Sequence, residues 1–467
     1  MPIIIINYTA NLYPAKGIFY KCSVWTKLGI YDKIDFVDIY NCWGQDYQLM
    51  IERTINLGNL LITLSETMDL SDPFVSQHQH RTAYIALEIA KHADIKGSML
   101  EDIFTASLLH DIGALTVEEK LLLHNNESEN EELHTIRGAI LLNRIPWLRD
   151  ISRIVRFHHR DWKDWDEGLE NFVVQASQII YLADNIERLI DRNKFILHQA
   201  GDIEEAVLRL QKEGKVNEKI VSCFLYISKR EDFWLNLISP RLSSILLNRG
   251  PFYNIFIDMD DILMISNLYR DLIDFKSPYT ATHTTGVAEC SSKLSELFGL
   301  AAIDIKNMKI AGNFHDIGKL LIPNSILEKP GKLTEQEYAI MRCHSYYTYK
   351  TLDSIGGLHK IAQWAGFHHE RLDGSGYPFH LKCEEIDTGA RIMAVSDVFT
   401  ALMEDRPYRK GMDKNQIYRT VKPMADNNKL DKNIVELLFD NFDLIYSHVK
   451  DKQSTAKHLY DETISVA

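Results

Sequence analysis

Histidines and aspartates recur in the same order twice along this chain of 467 residues. The first cluster comprises His78, His110, Asp111, His134, His158, His159 and Asp184. The second cluster comprises His283, His315, Asp316, His344, His368, His369 and Asp397. Corresponding members lie 205 to 213 residues apart, so order and spacing are almost unchanged. A repeat of this kind indicates two copies of one domain.

The residue types in each cluster are those that bind divalent first-row metals. Five imidazoles and two carboxylates from separate segments can enclose two such ions. An aspartate that directly follows a histidine, as Asp316 follows His315, can bridge two ions about 3.5–4 Å apart while the histidine binds one of them. The remaining histidines are expected to be core or solvent-exposed residues without a ligand role: His80, His92, His124, His198, His359, His380, His448 and His458.

The elements that must position these clusters are predicted to be helices. Apolar residues recur at spacings of three and four in six stretches, which predicts a mainly α fold. The stretches are Ala83–Ala93, Ile103–Leu109, Ile179–Ile190, Ile262–Phe275, Val287–Phe298 and Ile392–Met403. The first 45 residues are richer in Ile, Tyr, Val and Phe, a composition compatible with a few short strands.

Turn signals divide the chain. Asn248–Pro251 contains adjacent Gly and Pro, which predicts a junction between the two copies. The expected organisation is an N-terminal segment over 1–45, a first helical domain with a connector over 46–245, a second helical domain over 250–450 and a tail over 451–467. Within the second copy, Thr334 followed three residues later by Glu337 has the spacing of a helix-capping box.

Composition excludes several classes of protein. With 45% hydrophobic and 25% charged residues, the chain is neither disordered nor collagen-like. Its net charge of −13 argues against an extended surface for DNA or RNA, which needs clustered Lys and Arg. Six cysteines without a C-x-x-C pair predict neither a thiolate zinc site nor a disulfide framework. The N-terminus has no basic segment and no apolar stretch of about 20 residues, so we expect a cytoplasmic protein without a membrane partner.

The residues around the second cluster resemble a known family. HDIGK at His315–Lys319, HHERLDGSGYP at His368–Pro378 and DVFTALMEDRPYR at Asp397–Arg409 resemble the HD-GYP subgroup of the HD metal-dependent phosphohydrolases in order and spacing. This resemblance runs from about Ile255 to Met412, and the first copy resembles the broader HD superfamily from about Asp46 to Asp191. It implies tandem helical HD-type domains, the second an HD-GYP domain. It also implies a di- or trinuclear metal centre that hydrolyses cyclic dinucleotides, with iron or manganese favoured over nickel, cobalt or zinc.

The resemblance also implies ligand roles. One ion would be held by His283, His315, Asp316 and Asp397. Asp316 would bridge to a second ion held by His344 together with His368 and His369, whose division between the ions stays open. Two such ions would lower the pKa of a bound water toward about 7 and polarise a phosphodiester for in-line attack.

One departure bears on the number of ions. Some members of the family bind a third ion through a glutamate four residues before the first histidine of the cluster. This chain has Tyr279 at that position, and Phe74 at the matching position of the first copy. We therefore expect a dinuclear centre.

Substrate contacts are carried over in the same way. Lys319 lies one helical turn beyond the histidine of HDIGK if that helix continues, from where it could donate to a phosphate oxygen. Arg406 and Arg409 match positions that contact phosphate in the family, and guanidinium groups suit nonbridging phosphate oxygens. The glycines of the GSGYP loop permit a tight turn, and the resemblance puts Gly376 and Tyr377 beside the substrate. Tyr377 could stack on a base or anchor the loop, and both interpretations stay open.

The first copy keeps the metal-type residues but lacks the matching cations. Ala114 replaces the lysine of HDIGK, no GSGYP follows His158-His159, and Asn193 and Ile196 stand where arginines are expected. Without these cations it would lose most of the charge stabilisation that metals do not supply. We expect it to be a degenerate HD domain, metal-bound or empty, with a regulatory, dimerising or scaffolding role, which allows a homodimer. A catalytic role on another substrate is the alternative.

The preferred function is a metal-dependent phosphodiesterase that linearises a cyclic dinucleotide second messenger and could cleave the product to mononucleotides. Cyclic di-GMP is the default substrate by resemblance. Pairing of a degenerate HD domain with an HD-GYP domain is similar to enzymes acting on 3′,3′-cyclic GMP-AMP (3′,3′-cGAMP), so that substrate is an alternative. A catalytically weak cyclic-dinucleotide sensor that signals through the first domain is a second hypothesis, disfavoured by Lys319, Arg406 and Arg409. A nucleotide phosphohydrolase or an oxygenase is disfavoured by the GYP loop.

Overall fold

The computed structural model describes residues 55–69, 76–124, 131–168, 170–277, 281–405 and 410–465. The predicted short strands of the first 45 residues lie outside this part of the chain, as do Phe74, Tyr279, Arg406 and Arg409.

Helices account for most of the described residues, which confirms the mainly α fold. The helices of the first half are α1 (Leu57–Asp69), α2 (His78–His92), α3 (Ser98–Leu109), α4 (Val117–His124), α5 (Glu131–Leu142), α6 (Arg149–Arg156), α7 (Phe172–Arg188), α8 (Ala200–Lys212), α9 (Glu218–Ile227), α10 (Glu231–Leu237) and α11 (Leu242–Arg249). Those of the second half are α12 (Met259–Phe275), α13 (His283–Phe298), α14 (Ala302–Phe314), α15 (Asn324–Leu327), α16 (Glu335–Ile355), α17 (His359–Gly366), α18 (Thr388–Met403), α19 (Lys414–Asp426), α20 (Lys432–Asp440) and α21 (Phe442–Ser465). Short 3₁₀ segments lie at Pro146–Leu148, Trp162–Asp164, Ile196–His198, Ile317–Leu321 and Cys383–Glu385.

The predicted helices are present, and all six begin earlier than their apolar periodicity indicates. The stretch Ile262–Phe275 lies within α12, whose start is set by Asp258, because that side chain accepts hydrogen bonds from the backbone N–H groups of Asp260 and Asp261. The predicted capping box of α16 is confirmed, with Thr334 Oγ1 accepting from Glu337 N at 3.2 Å and Glu337 Oε2 accepting from Thr334 N at 2.7 Å. Polar caps extend helices beyond the residues that apolar spacing identifies.

The two repeats start their first histidine-bearing helix with the same contact. Asp69, at the end of α1, accepts a hydrogen bond from Gln79 N at 2.7 Å at the start of α2. Asp274, near the end of α12, accepts one from Thr284 N at 2.8 Å at the start of α13. Burial raises the pKa of both carboxyl groups to about 6. This shared cap fixes where the first histidine of each cluster lies.

The two repeats also contact each other closely. A two-stranded antiparallel ribbon joins β1 (Ile55–Asn56) to β2 (Phe256–Ile257), just after the turn that follows α11. Helix α1 of the first repeat packs against α16 and the Ile317–Leu321 segment of the second. Arg144 Nη1 contacts Asp271 Oδ2 at 3.1 Å across the same interface. None of the helices in the described part of the chain is long and apolar enough to cross a membrane.

Candidate metal centres

All seven residues of the second cluster converge at one place. His283 begins α13, His315 and Asp316 directly follow α14, His344 lies within α16, His368 and His369 follow α17, and Asp397 lies within α18. All except His369 are buried, and the His369 side chain is 21% exposed. The convergence of this set, predicted from spacing alone, is therefore found in the structure.

Hydrogen bonds orient three of these imidazoles toward the centre of the cluster. The Nδ1 atoms of His315, His344 and His368 each lie 2.6–2.8 Å from the backbone carbonyl oxygen three residues earlier. An Nδ1–H that donates to a carbonyl leaves Nε2 unprotonated and facing inward, as a metal ligand requires. Burial lowers the pKa of His344 to about 4 and that of His368 to about 3, which favours the neutral ligand form.

Asp316 lies between two groups of histidines. Its Oδ2 is 3.1 Å from His315 Nε2 and 3.9 Å from His283 Nε2. Its Oδ1 is 3.4 Å from His344 Nε2 and 3.9 Å from His368 Nε2. Although burial opposes its ionisation, His315 and the nearby Lys319 hold the pKa of Asp316 well below its usual value. One carboxylate thus presents a separate oxygen to each side of the cluster.

Asp397 and Glu404 complete the other side. Asp397 Oδ1 is 3.3 Å from His283 Nε2, and Asp397 Oδ2 is 3.7 Å from His369 Nδ1. Glu404 Oε2 lies 2.9 Å from His283 Nδ1 and so fixes which nitrogen of that ring faces the cluster. The sequence reasoning missed Glu404, although it lies within the quoted motif seven residues after Asp397.

The residues of the second cluster fit divalent metal ions. Within the described part of the chain, His315 Nε2 and Asp316 Oδ1 are buried and make no hydrogen bond. Two groups, His283 with His315 and Asp397, and His344 with His368 and His369, each place their ligand atoms within 4.8 Å of one another. Buried polar atoms without partners are costly, and a bound cation would satisfy them.

Lys319 lies at this cluster, although by a different local structure from the one predicted. The helix ends at Phe314, and Lys319 lies in the 3₁₀ segment Ile317–Leu321. Because such a segment has three residues per turn, Lys319 Nζ reaches Asp316 Oδ2, three residues earlier, at 2.5 Å. The condition that the helix continues beyond His315 is therefore not met, although Lys319 still lies at the cluster.

Glycines explain this change of backbone. A Cβ at Gly318 would collide with the carbonyl oxygen of His344, so only glycine lets the segment approach α16 this closely. Gly113 stands in the same relation to His134 in the first repeat. The contact brings His344 to the second cluster and His134 to the first.

The GSGYP loop folds back onto the second cluster. Gly374 has a φ of +79°, and a Cβ at Gly376 would collide with the backbone of Glu370. The half-buried Tyr377 ring has its centroid 4.8 Å from that of His369 and 6.4 Å from that of Tyr338. Tyr377 therefore packs in the loop and also borders the cluster.

The first cluster has nearly the same internal geometry. His78 Nε2 lies 3.2 Å from His110 Nε2 and 3.3 Å from Asp184 Oδ1, and His134 Nε2 lies 3.3 Å from Asp111 Oδ1. His78 Nδ1 contacts a carboxylate, Glu187 Oε2, at 2.5 Å. Asp111, His134, His158 and His159 place their ligand atoms within 4.8 Å of one another.

The first cluster was expected to have no matching cations beside it. It has no Lys or Arg at the positions that match the cations of the second cluster, but other cations lie against it. Arg188 contacts both oxygens of Asp184, with Nε–Oδ1 at 2.9 Å and Nη2–Oδ2 at 2.8 Å. Arg81 and Arg192 contact Glu187 Oε1 at 2.7 and 3.1 Å.

Two further residues lie beside the first cluster. His124, expected to have no role at a cluster, has its Nδ1 3.8 Å from Glu187 Oε2. Arg188 could have been found from the sequence, because it follows Asp184 by four residues on a helix, the spacing at which side chains meet. By contrast, His80 lies in the core, where its Nε2 donates to the backbone carbonyl oxygen of Ile62 at 2.9 Å, as expected for a buried histidine.

Comparisons with known proteins agree with the duplicated geometry. Two family models, each described as an HD domain, match residues 75–189 and 267–434. A 3′3′-cGAMP-specific phosphodiesterase 1 of Vibrio cholerae serotype O1 is 30% identical over 411 residues, covering 85% of this chain and 94% of that protein. A cyclic di-GMP phosphodiesterase of Thermotoga maritima is 34% identical over 173 residues, covering 36% of this chain and 47% of that protein.

A solved structure has the same fold. The crystal structure of a cyclic GMP-AMP-specific phosphodiesterase of V. cholerae matches with a TM-score of 0.58 and 21% sequence identity, covering 84% of this chain and 98% of that one. The two chains therefore share a fold over most of their length. With two HD domains, and with the HD-GYP motifs around the second cluster, this chain belongs to the HD-GYP family of cyclic-dinucleotide phosphodiesterases.

Proposed function

We propose that the second cluster binds two divalent ions, iron or manganese in preference to nickel, cobalt or zinc, and hydrolyses 3′,3′-cGAMP. The observation that carries the proposal is Asp316, which presents one carboxylate oxygen to each of two histidine groups while Lys319 contacts it from the edge of the cluster. When bound there, two such ions would supply Lewis acidity to the phosphodiester and activate water for attack.

The chain's own residues bind and orient the substrate. Lys319 Nζ, now paired with Asp316, can turn to a phosphate oxygen once cations neutralise that carboxylate. Arg406 and Arg409 follow Asp397 closely in sequence and would contact the phosphates, while Gly376 allows the loop to hold Tyr377 beside His369. The Tyr377 ring then offers an aromatic face to one nucleobase.

The choice of 3′,3′-cGAMP over cyclic di-GMP is supported by the extent of the similarities. The V. cholerae relative named for 3′3′-cGAMP matches over 85% of this chain, including both HD domains. The T. maritima relative named for cyclic di-GMP matches over 36%. If the first repeat influences substrate choice, the protein that shares both repeats is the better guide. The products would be the linear dinucleotide and then mononucleotides.

Product analysis tests the proposal. The full chain, treated with chelator and reloaded with Mn²⁺ or anaerobically with Fe²⁺, is incubated separately with 3′,3′-cGAMP, cyclic di-GMP and cyclic di-AMP, and products are separated by chromatography. We expect the highest kcat/KM for 3′,3′-cGAMP, and no turnover by the metal-loaded Asp316→Asn control. Preference for cyclic di-GMP would contradict the substrate assignment. Binding without turnover of any of the three would favour the sensor.

A further inference from the structure

We propose that the first cluster is a structural site for one metal ion, in which Asp111, His134, His158 and His159 hold a divalent first-row ion and Arg188 neutralises Asp184 in place of a second ion. The assignment goes beyond the activity of the second cluster and does not depend on it. It rests on a difference between two halves of the first cluster. One half contains the four proposed ligands, and the other surrounds Asp184.

One half has the composition and closeness of a four-ligand site. Its four ligand atoms lie within 4.8 Å of one another. His158 Nδ1 lies 2.7 Å from Val155 O, which leaves His158 Nε2 for the centre. Within the described residues, His159 Nε2 and Asp111 Oδ1 are buried and make no hydrogen bond. Three imidazoles and one carboxylate complete the coordination of a closed structural site, and one cation would satisfy these unpartnered atoms.

The other half is already neutralised by Arg188. Its guanidinium contacts both oxygens of Asp184, and its Nη1 donates to Leu123 O at 2.8 Å, so three contacts hold it in place. In the second cluster the residue four positions after Asp397 is Ala401, and the Asp397 oxygens face His283 and His369. A guanidinium stays charged at any pH proteins meet, so it repels a dication that would share Asp184.

Access also separates the two clusters. The cavity between His78, Asp111, Lys120 and Arg188 measures about 10 Å³, close to the least that holds one water molecule. The Asp184 side chain is 1% exposed, whereas that of Asp397 is 11% exposed. The last aspartate of the first cluster is therefore more enclosed than its counterpart in the second cluster.

The position of the four ligands gives this ion a structural effect. They lie after α3, within α5 and after α6, so one ion would cross-link three segments of the first repeat. Binding to the folded chain alone adds the binding free energy to the free energy of unfolding. Because α1 of the same repeat packs on α16 and Ile317–Leu321, that stabilisation would extend to the elements that carry His344 and Lys319.

The number of bound ions tests the proposal. In the full chain, Asp316→Asn and His368→Gln disable the second cluster; the protein is stripped with chelator, loaded with Mn²⁺, desalted and analysed by elemental analysis and EPR. We expect one Mn²⁺ per chain with an uncoupled six-line spectrum. Adding His159→Gln should lower Mn²⁺ affinity at least 10-fold, and a parallel Zn²⁺ titration should also give one ion. Circular dichroism confirms that each variant is folded.

Exchanging the arginine sharpens the test. In the same background, Arg188→Met should raise the stoichiometry from one to two ions and give an exchange-coupled Mn²⁺ spectrum. The opposite exchange uses a chain whose first cluster is disabled by Asp111→Asn and His159→Gln. In that chain, Ala401→Arg should lower the number of ions bound by the second cluster from two to one. Two ions in the first cluster with Arg188 present, or none with either Mn²⁺ or Zn²⁺ in folded protein, would overturn the proposal.

Discussion

The two clusters have the same histidines and aspartates in nearly the same places, but different cations contact their aspartates. In the second cluster Lys319 contacts Asp316, and Ala401 lies four residues after Asp397. In the first cluster Ala114 stands in place of the lysine, and Arg188 contacts both oxygens of the last aspartate. Ligand identity alone therefore does not distinguish a catalytic centre from a structural one. The cations around the ligands, and whether they are already paired, carry the difference.

The largest expected effect comes from the aspartate that joins the two histidine groups. His315→Ala with Asp316→Ala should lower kcat for the cyclic dinucleotide at least about 1,000-fold, because both ions lose a ligand. The matched change in the first cluster, His110→Ala with Asp111→Ala, should leave kcat within about threefold at 25 °C and lower the Tm. Equal loss of activity in both, in folded protein, would contradict the division of roles.

Lys319 should have the next largest effect. Lys319→Ala should lower kcat about 100-fold or more with metal content unchanged, because a charge donor to the phosphate is lost while the ligands remain. The converse change, Ala114→Lys in an Asp316→Asn chain, should create no turnover, since Arg188 still occupies Asp184. Turnover in that chain would show that one lysine is enough to separate the two clusters.

Glu404 and Glu187 are equivalent residues, because each contacts Nδ1 of the first histidine of its cluster. Glu404→Gln should weaken metal binding at the second cluster about 10- to 100-fold, because the orientation of His283 is loosened. Glu187→Gln should leave metal binding at the second cluster unchanged. Isothermal titration with Mn²⁺ on stripped protein measures both. A fall in affinity at the second cluster for Glu187→Gln would mean that the clusters are coupled.

Substitution of either glycine that lies against a cluster histidine should lower the stability of the protein, but only one of the two substitutions should lower its activity. Gly318→Ala and Gly113→Ala each put a Cβ against the carbonyl oxygen of a cluster histidine, and each should cost about 1–3 kcal/mol in free energy of unfolding. Only Gly318→Ala should also lower kcat, since it displaces Lys319 and His344. Denaturant unfolding and initial rates check the pair, and a comparable loss of kcat for Gly113→Ala would contradict the assignment.

The smallest effect is expected at the contact between the repeats. Arg144→Met removes an ion pair to Asp271, but Arg270 Nη2 also contacts Asp271 Oδ1 at 2.7 Å. The free energy of unfolding should therefore fall by only about 1 kcal/mol, with kcat unchanged. Thermal unfolding measures the change. A large fall in kcat would indicate that activity depends on the relative position of the two repeats.

Much of the fold and the second cluster could be predicted from sequence. Apolar periodicity identified six helices, and duplication identified the residues that converge in each cluster, because both are local or repeated patterns. The local path of the chain at Lys319 could not be predicted. It depends on the approach of Gly318 to His344, 26 residues further along, which no local pattern contains.

Which groups are available can be read from the amino-acid sequence: two sets of five histidines and two aspartates, and a lysine in the second set where the first has Ala114. Which charges meet depends on how the helices pack. Arg188 is four residues from Asp184 in sequence, but its contact with Leu123 and its place at the cluster follow from which face of α7 is buried. Glu404 reaches His283 across 121 residues of chain. Electrostatic interactions depend on distance in space, and only packing brings residues so far apart in sequence within a few ångströms.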